Sequence, residues 1–191
     1  MSAQPVRGCV PAILFIMVAL SGCGSGRAQP PAQSLPAYTP EAARLFDDAF
    51  APPLFGFDTE ARDLAQDLEL RERIRQASFV MPARIETVSR VGGTEHSGAY
   101  EIILVPLAPP LVGTYPGGPM RVTIPTSNSS YAWVEGAGAA WVGTRVLAFG
   151  RLYAGGTGAP GEKPSLHFRC EADTVQLRSI VERDAALRLV R

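Results

Sequence analysis

The spacing of apolar residues changes at Phe79, and this change constrains the fold more than any other feature. In residues 40–50 and 60–77, apolar side chains recur every three to four positions, which is typical of helices that pack on one face. From Phe79 onward they occur in short runs, rich in Val, Ile and Leu, between turn-forming residues. The sequence therefore predicts two N-terminal helices followed by a mainly β region.

The β region divides into five runs, which predict strands at residues 79–91, 100–107, 120–124, 144–153 and 166–171. Between the third and fourth runs, cap-forming residues 126–130 precede a segment with apolar residues at helical spacing, from Trp133 to Trp141. This spacing predicts a helix. Gly136 and Gly138 weaken it, and the β-prone Trp and Val also allow a hairpin.

The order of these elements matches a five-stranded, OB-like small barrel with a helix between strands three and four. The predicted fold class is therefore mainly β with flanking helices, α+β, preceded by two N-terminal helices. An open antiparallel sheet with flanking helices is the alternative architecture. Residues 173–189 fit a C-terminal helix with Asp173 as its cap, although strand alternation is also possible there.

The N-terminus has the form of a secretory signal. Arg7 precedes an apolar run at residues 10–20, and the small residues Ser21 and Gly22 come directly before Cys23. The run has about half the roughly 20 apolar residues that a membrane-spanning helix needs. A plain secretory signal with an incidental cysteine would also fit the pattern.

The segment Leu20-Ser21-Gly22-Cys23 resembles the lipobox of bacterial lipoproteins. The resemblance implies that Cys23 is lipidated and that the chain is cut just before it. It also implies a peripheral protein of the bacterial cell envelope, bound to the membrane through its lipid anchor. Because Gly24 stands where aspartate marks inner-membrane retention in well-studied lipoproteins, the resemblance favours the outer membrane over the inner membrane.

These observations predict four parts of the chain. Residues 1–22 are the signal peptide, and residues 23–39 are the lipidated cysteine and a Gly-, Ser- and Pro-rich tether. Residues 40–78 are a helical segment, and residues 79–191 are the barrel-like domain with its C-terminal helix.

Charge and cysteine content limit the possible partners. The chain has 18 basic and 18 acidic residues without a basic run, which argues against nucleic acid as a partner. Cys170 is the cysteine that remains beyond the signal and the lipid site. Strand alternation places it on one face with Leu166 and Phe168 and places His167 on the other, which predicts a buried thiol.

The sequence contains no constellation typical of catalysis. Its two histidines, His96 and His167, have no neighbouring ligands at metal spacing, and no phosphate-binding, dinucleotide or nucleophile-elbow motif occurs. We therefore expect no catalytic residue, no metal and no cofactor. The predicted function is a non-enzymatic accessory or interaction module, and a hydrolase or thiol enzyme that uses Cys170 is the rival hypothesis.

A ligand-binding module is the alternative within the binding class. Tyr131, Trp133 and Trp141 are the possible ligand contacts, since aromatic side chains at the edge of a small barrel often stack on ligands. The Gly- and Pro-rich loops at 108–119 and 154–164 would flank such a site. A glycan, a peptide or an envelope protein would then be the partner, whereas a helix that closes the barrel would instead bury both tryptophans.

Overall fold

The computed structural model describes residues 35–56, 63–93, 98–115, 117–155 and 163–188. The predictions for the signal peptide, for Cys23 and for most of the tether lie outside these residues. So do His96, residues 60–62 of the second predicted helix and most of the 154–164 loop.

Within the part of the chain that the structure describes, four α-helices flank a single sheet. They are α1 (Pro40–Leu45), α2 (Leu68–Gln76), α3 (Tyr131–Ala137) and α4 (Val175–Arg188), with short 3-10 turns at Pro52–Phe55 and Gly138–Trp141.

Both N-terminal helices are shorter than the sequence predicts. The prediction that the first helix continues to Phe50 is wrong, because the backbone of Asp48 turns to a φ of 56° and Ala49–Phe50 pairs as a strand. The second helix begins only at Leu68, where the side chain of Asp67 accepts a hydrogen bond from the amide of Leu70. In both cases tertiary pairing and capping override the spacing of apolar residues.

The other two helices agree with the sequence. Helix α3, continued by its 3-10 turn, forms where a hairpin was the alternative. The C-terminal segment is a helix, not a strand, and Thr174 accepts the capping bond from the Leu177 amide at 3.1 Å. Asp173, the predicted cap, instead binds the guanidinium of Arg178.

Seven strands form one sheet among the described residues. They are β1 (Ala49–Phe50), β2 (Phe79–Val91), β3 (Ala99–Pro106), β4 (Val112–Gly113), β5 (Met120–Ile124), β6 (Arg145–Tyr153) and β7 (Ser165–Ala172). The five longer strands correspond to the predicted ones, whereas the two-residue strands β1 and β4 were not predicted. Their pairing depends on partners distant in sequence, which the local pattern does not show.

The strand order is β1-β7-β6-β2-β3-β5, with β4 beside β2. All pairs are antiparallel except β1 with β7. The sheet curls into a half-barrel, and the register of β2 shifts between Ile85 and Thr87, where a bulge bends the strand. The fold is therefore α+β with a barrel-like sheet, with seven strands instead of the predicted five.

The sheet is packed on both faces. The first half of β2 and most of β6 are buried, because alternate residues enter two different cores. The core inside the half-barrel includes Phe50, Met81, Ile102, Trp141 and Phe168. The core between the sheet and helices α1, α2 and α4 includes Phe46, Ile74, Val80, Phe149 and Val181.

Candidate functional site

The half-barrel has its opening between strand β5 and the strand pair β1–β7, and residues 48–51 run along that opening. On one side this segment continues the sheet. The amide of Asp48 donates to the carbonyl of Phe168 at 2.8 Å, and the amide of Ala51 donates to the carbonyl of Cys170 at 2.8 Å.

On its other side the same segment is bound by side chains instead of a strand. Ser130 Oγ accepts a hydrogen bond from the amide of Phe50 at 2.8 Å, and Asn128 Nδ2 donates to the carbonyl of Asp48 at 2.9 Å. These are backbone groups of alternate residues, which a neighbouring strand would normally satisfy. Two side chains therefore bridge the opening of the half-barrel here, and we call this bridge the seam.

A cleft of about 420 Å³ lies on this seam, and we call it the seam cleft. Six of its seven lining residues are polar, and they come from strand β5, from the loop before α3 and from the segment before β1. The lining residues are Asp47, Asp48, Thr123, Pro125, Ser127, Asn128 and Ser129.

Two hydrogen bonds and the local backbone conformation fix the position of Asp48. Its Oδ2 lies 2.7 Å from Nδ1 of His167, its Oδ1 accepts from the amide of Phe168 at 3.0 Å, and its backbone takes a left-handed conformation. Burial raises the pKa of the Asp48 carboxyl, and the bonds from Phe168 and His167 oppose that rise. The carboxyl is thus fixed in place while its side chain remains 31 % exposed.

Asp47 is fixed by a network of arginines. Its Oδ2 accepts a hydrogen bond from Arg169 at 2.6 Å, and Nε of Arg169 lies 3.5 Å from Oε1 of Glu171. Glu171 in turn accepts from the buried guanidinium of Arg73 at 2.9 Å. Oδ1 of Asp47 is buried without a hydrogen-bond partner among the described residues.

The seam cleft therefore combines two positioned carboxyl groups with three hydroxyl groups and an amide. Such a lining can accept hydrogen bonds from hydroxyl, amide or amine groups of a ligand. Within the described part of the chain, no set of His, Cys, Asp and Glu side chains could hold a metal ion.

The three predicted ligand contacts do not form one surface. Trp141 is buried, with its ring centroid 5.6 Å from that of Phe50. Tyr131 is half-buried against Tyr100, at a centroid distance of 5.4 Å. Trp133, on the first turn of α3, is 37 % exposed. The structure thus separates these aromatic residues between the core and the surface.

Cys170 lies in the core, as its alternation with Phe168 predicts. Burial raises the pKa of its thiol well above the ordinary value. His167 is directed to the other face of β7, where its ring stacks on Tyr38 at a centroid distance of 3.5 Å and its Nδ1 meets Asp48. Strand geometry therefore separates the thiol from the imidazole of His167.

Sequence reasoning missed the carboxyl groups of the seam cleft. Asp48 and His167 are 119 positions apart, and Asp47 and Arg169 are 122 positions apart. A local pattern cannot show pairs of this separation. The adjacent acids Asp47 and Asp48 are visible in the sequence, but their spacing matches no metal-binding loop.

None of the helices described is both long enough and apolar enough to span a bilayer. Comparison with protein-family models, with curated proteins and with solved structures finds no significant match.

Proposed function

We propose that the protein is a lipid-anchored component of the bacterial cell envelope whose folded domain is a non-enzymatic accessory or interaction module. The observation that carries the proposal is the sequence Leu20-Ser21-Gly22-Cys23 at the end of a short apolar run. Burial of Cys170, the thiol that a rival enzymatic mechanism would need, supports the non-enzymatic part.

Membrane fractionation of wild type and Cys23→Ala tests the anchor. We expect wild type in the membrane pellet and the variant retained in it far less, because the acyl chains supply the membrane affinity. Cys9→Ala is the matched control and should fractionate like wild type, since Cys9 lies within the predicted signal peptide. An unchanged membrane pool in Cys23→Ala would refute lipidation at this residue.

The same fractions test the membrane of residence. In a density gradient that separates inner from outer membranes, we expect wild type with the outer membrane. Gly24→Asp should move to the inner-membrane fractions, because aspartate at that position marks retention in the lipoproteins that the signal resembles. Wild type in the inner-membrane fractions would contradict the outer-membrane assignment.

The second function we propose is that of a glycan- or peptide-binding module of OB type, and the seam cleft favours it. The five long strands follow one another in the order β7-β6-β2-β3-β5, with α3 between the third and the fourth in sequence. Closing a barrel from this order would require β5 to approach β7. The seam cleft lies at that place, and loops at the end of a small barrel are common ligand sites.

Tryptophan fluorescence tests this second function, because the chain has only two tryptophans. Single-tryptophan variants Trp141→Phe and Trp133→Phe would be titrated with peptidoglycan glycan strands and, separately, with stem peptides. We expect the exposed Trp133, four residues after the lining residue Ser129, to report binding and the buried Trp141 to report little. Asp48→Asn and Ser127→Ala should weaken the response. No change with either ligand class would refute this function.

A further inference from the structure

A second cleft, separate from the seam, lies beneath the segment that leads into α1. This segment, residues 35–39, is called the strap. The carbonyl of Pro36 accepts from the amide of Ala154 at 2.8 Å, and the hydroxyl of Tyr38 donates to the carbonyl of Phe46 at 2.6 Å. The strap, α1, α2 and the end of β6 enclose a cleft of about 620 Å³, which we call the strap cleft.

The strap cleft holds two arginines that take part in no ion pair with a described residue. Arg44 lies on α1 and is exposed, whereas Arg151 lies on β6 and is half-buried. The guanidinium of Arg151 is held over the ring of Tyr153, 5.2 Å from its centroid, and donates to the side chain of Gln76. The guanidinium of Arg151 is thus held in one place at the cleft by Tyr153 and Gln76.

The carboxylates of the strap cleft are mostly engaged with other cations. Glu69 pairs with Arg73 at 3.5 Å, and Glu72 pairs with Arg75. Glu41 remains, and its pKa is lowered by a hydrogen bond to its own backbone, by one to Thr39 and by the charge of Arg44. Arg73 is shared between Glu69 and the nearer Glu171, so Arg44 and Arg151 face Glu41 and a partly compensated Glu69. An anion would therefore bind through these two guanidinium groups, without an excess of positive charge in the cleft.

Tyr153 supplies an independent sign of a ligand. It lines the strap cleft, it is only 1 % exposed, and its hydroxyl has no hydrogen-bond partner among the described residues. A buried hydroxyl without a partner is costly and uncommon in native proteins. Burial raises the pKa of Tyr153, so the group stays protonated and can donate a hydrogen bond.

The remaining lining is apolar and includes Pro36, Ala42, Leu45 and Leu68. We propose that the strap cleft binds an organic anion, a phosphate or carboxylate group on a small apolar body. Arg44 and Arg151 hold the charged group, Tyr153 donates a hydrogen bond to it, and the apolar wall receives the body. The volume falls within the range of small-molecule sites. The strap cleft and the seam cleft share no lining residue.

Calorimetric titration with phenyl phosphate tests the proposal, using the purified protein in phosphatidylcholine nanodiscs. We expect saturable binding, weaker binding of inorganic phosphate, which has no apolar body, and no binding of the neutral benzyl alcohol. Repeating the titration in discs that contain phosphatidylglycerol distinguishes the ligand sources. Weaker binding there indicates competition by a lipid headgroup, whereas unchanged binding indicates a free organic anion.

Variants locate the site. Arg44→Gln and Arg151→Gln should each weaken phenyl phosphate binding by about tenfold, the scale of a hydrogen bond to a charged group. Tyr153→Phe should weaken it several-fold without a loss of stability, because its hydroxyl has no partner to lose. Arg121→Gln, on the exposed side of β5, is the control and should bind like wild type. Arg44 is exposed, so its variant should fold even if Arg151→Gln does not. Absence of phenyl phosphate binding, or wild-type affinity in Arg44→Gln, would overturn the proposal.

Discussion

Ser130 Oγ accepts a hydrogen bond from the backbone amide of Phe50 at 2.8 Å and lies 3.4 Å from the carbonyl of the same residue. One hydroxyl thus satisfies both polar groups of a strand residue that is 80 positions away and buried. The structure gives the Ser130 side chain no capping bond to helix α3. Ser130 is therefore buried where its hydroxyl binds Phe50 across the seam, and it does not cap α3.

Ser130→Ala should lower the free energy of unfolding by about 2 kcal/mol, because the buried Phe50 amide loses its partner. Urea unfolding followed by circular dichroism measures the change. Ser129→Ala is the matched control, since Ser129 is exposed, and it should shift stability by less than about 0.5 kcal/mol. Equal stability of Ser130→Ala and wild type would show that the hydrogen bond between Ser130 and Phe50 does not stabilise the fold.

Loss of the ion pair between Arg73 and Glu171 should lower the free energy of unfolding more than loss of the Ser130 hydroxyl does. The two side chains are 3 % and 10 % exposed and lie 2.9 Å apart. Glu171→Gln leaves the buried guanidinium of Arg73 with weaker compensation and should destabilise the protein by about 3 kcal/mol. Glu86→Gln, which breaks the exposed pair with Arg84, should cost less than about 1 kcal/mol. Similar losses in the two variants would contradict the burial argument.

The sequence predicts the five long strands and α3 well, because each depends on the local spacing of apolar residues. It fails at residues 46–50, where the spacing of Leu45, Phe46 and Phe50 is helical. Those side chains are buried by contacts that distant residues provide, with Phe46 in one core and Phe50 in the other. A helix would place both on one face. The strand instead lets the segment contribute to both cores.

The candidate sites were less predictable than the fold. Trp133 and Trp141 are eight positions apart on one segment, yet the first is exposed and the second is in the core. The change from α-helix to 3-10 turn at Gly138 alters the side-chain directions between them. The carboxyl group of Asp48 is positioned by His167 and Phe168. The ring of Tyr153 packs against Tyr38 of the strap, with ring centroids 5.1 Å apart. These relationships are tertiary, so a single sequence does not show them.

Two glycines should respond in opposite ways to alanine. A Cβ on Gly150 would lie 2.1 Å from the ring of Phe79, so Gly150→Ala should destabilise the protein by about 2 kcal/mol or more. A Cβ on Gly136, within α3, meets nothing within 4 Å. Gly136→Ala should therefore stabilise the protein by about 0.5–1 kcal/mol through helix propensity. Thermal unfolding compares the two, and a destabilised Gly136→Ala would contradict the exposure of this face of α3.

Cys170 should be unreactive in the folded protein. Its side chain is fully buried and its thiol pKa is raised by burial, so the thiolate fraction at neutral pH is very small. With Cys9 and Cys23 replaced by alanine, we expect a maleimide reagent to label Cys170 only after denaturant is added. Mass spectrometry measures the labelled fraction over time. Rapid labelling of the folded chain would contradict the core position and revive the thiol-enzyme hypothesis.

Asp173 should make part of the stability dependent on pH. Its pKa is lowered, chiefly by hydrogen bonding with Arg178 and also by the charges of Arg178 and Arg145. The unfolded chain therefore takes up this proton at a higher pH than the folded chain does. The stabilisation is complete at neutral pH and is lost as the pH falls through the folded pKa, below the ordinary carboxyl range near about 3.9.

Asp173→Asn should consequently be less stable than wild type at neutral pH, and the difference should shrink as the pH falls from about 5 toward about 2. Urea unfolding at a series of pH values measures this difference, in which titration of the other carboxyl groups cancels. Asp184→Asn, whose carboxylate lies 3.6 Å from the exposed guanidinium of Arg183, is the control and should cost less than about 1 kcal/mol at neutral pH. A pH-independent gap between wild type and Asp173→Asn would show that the carboxylate charge does not stabilise the start of α4.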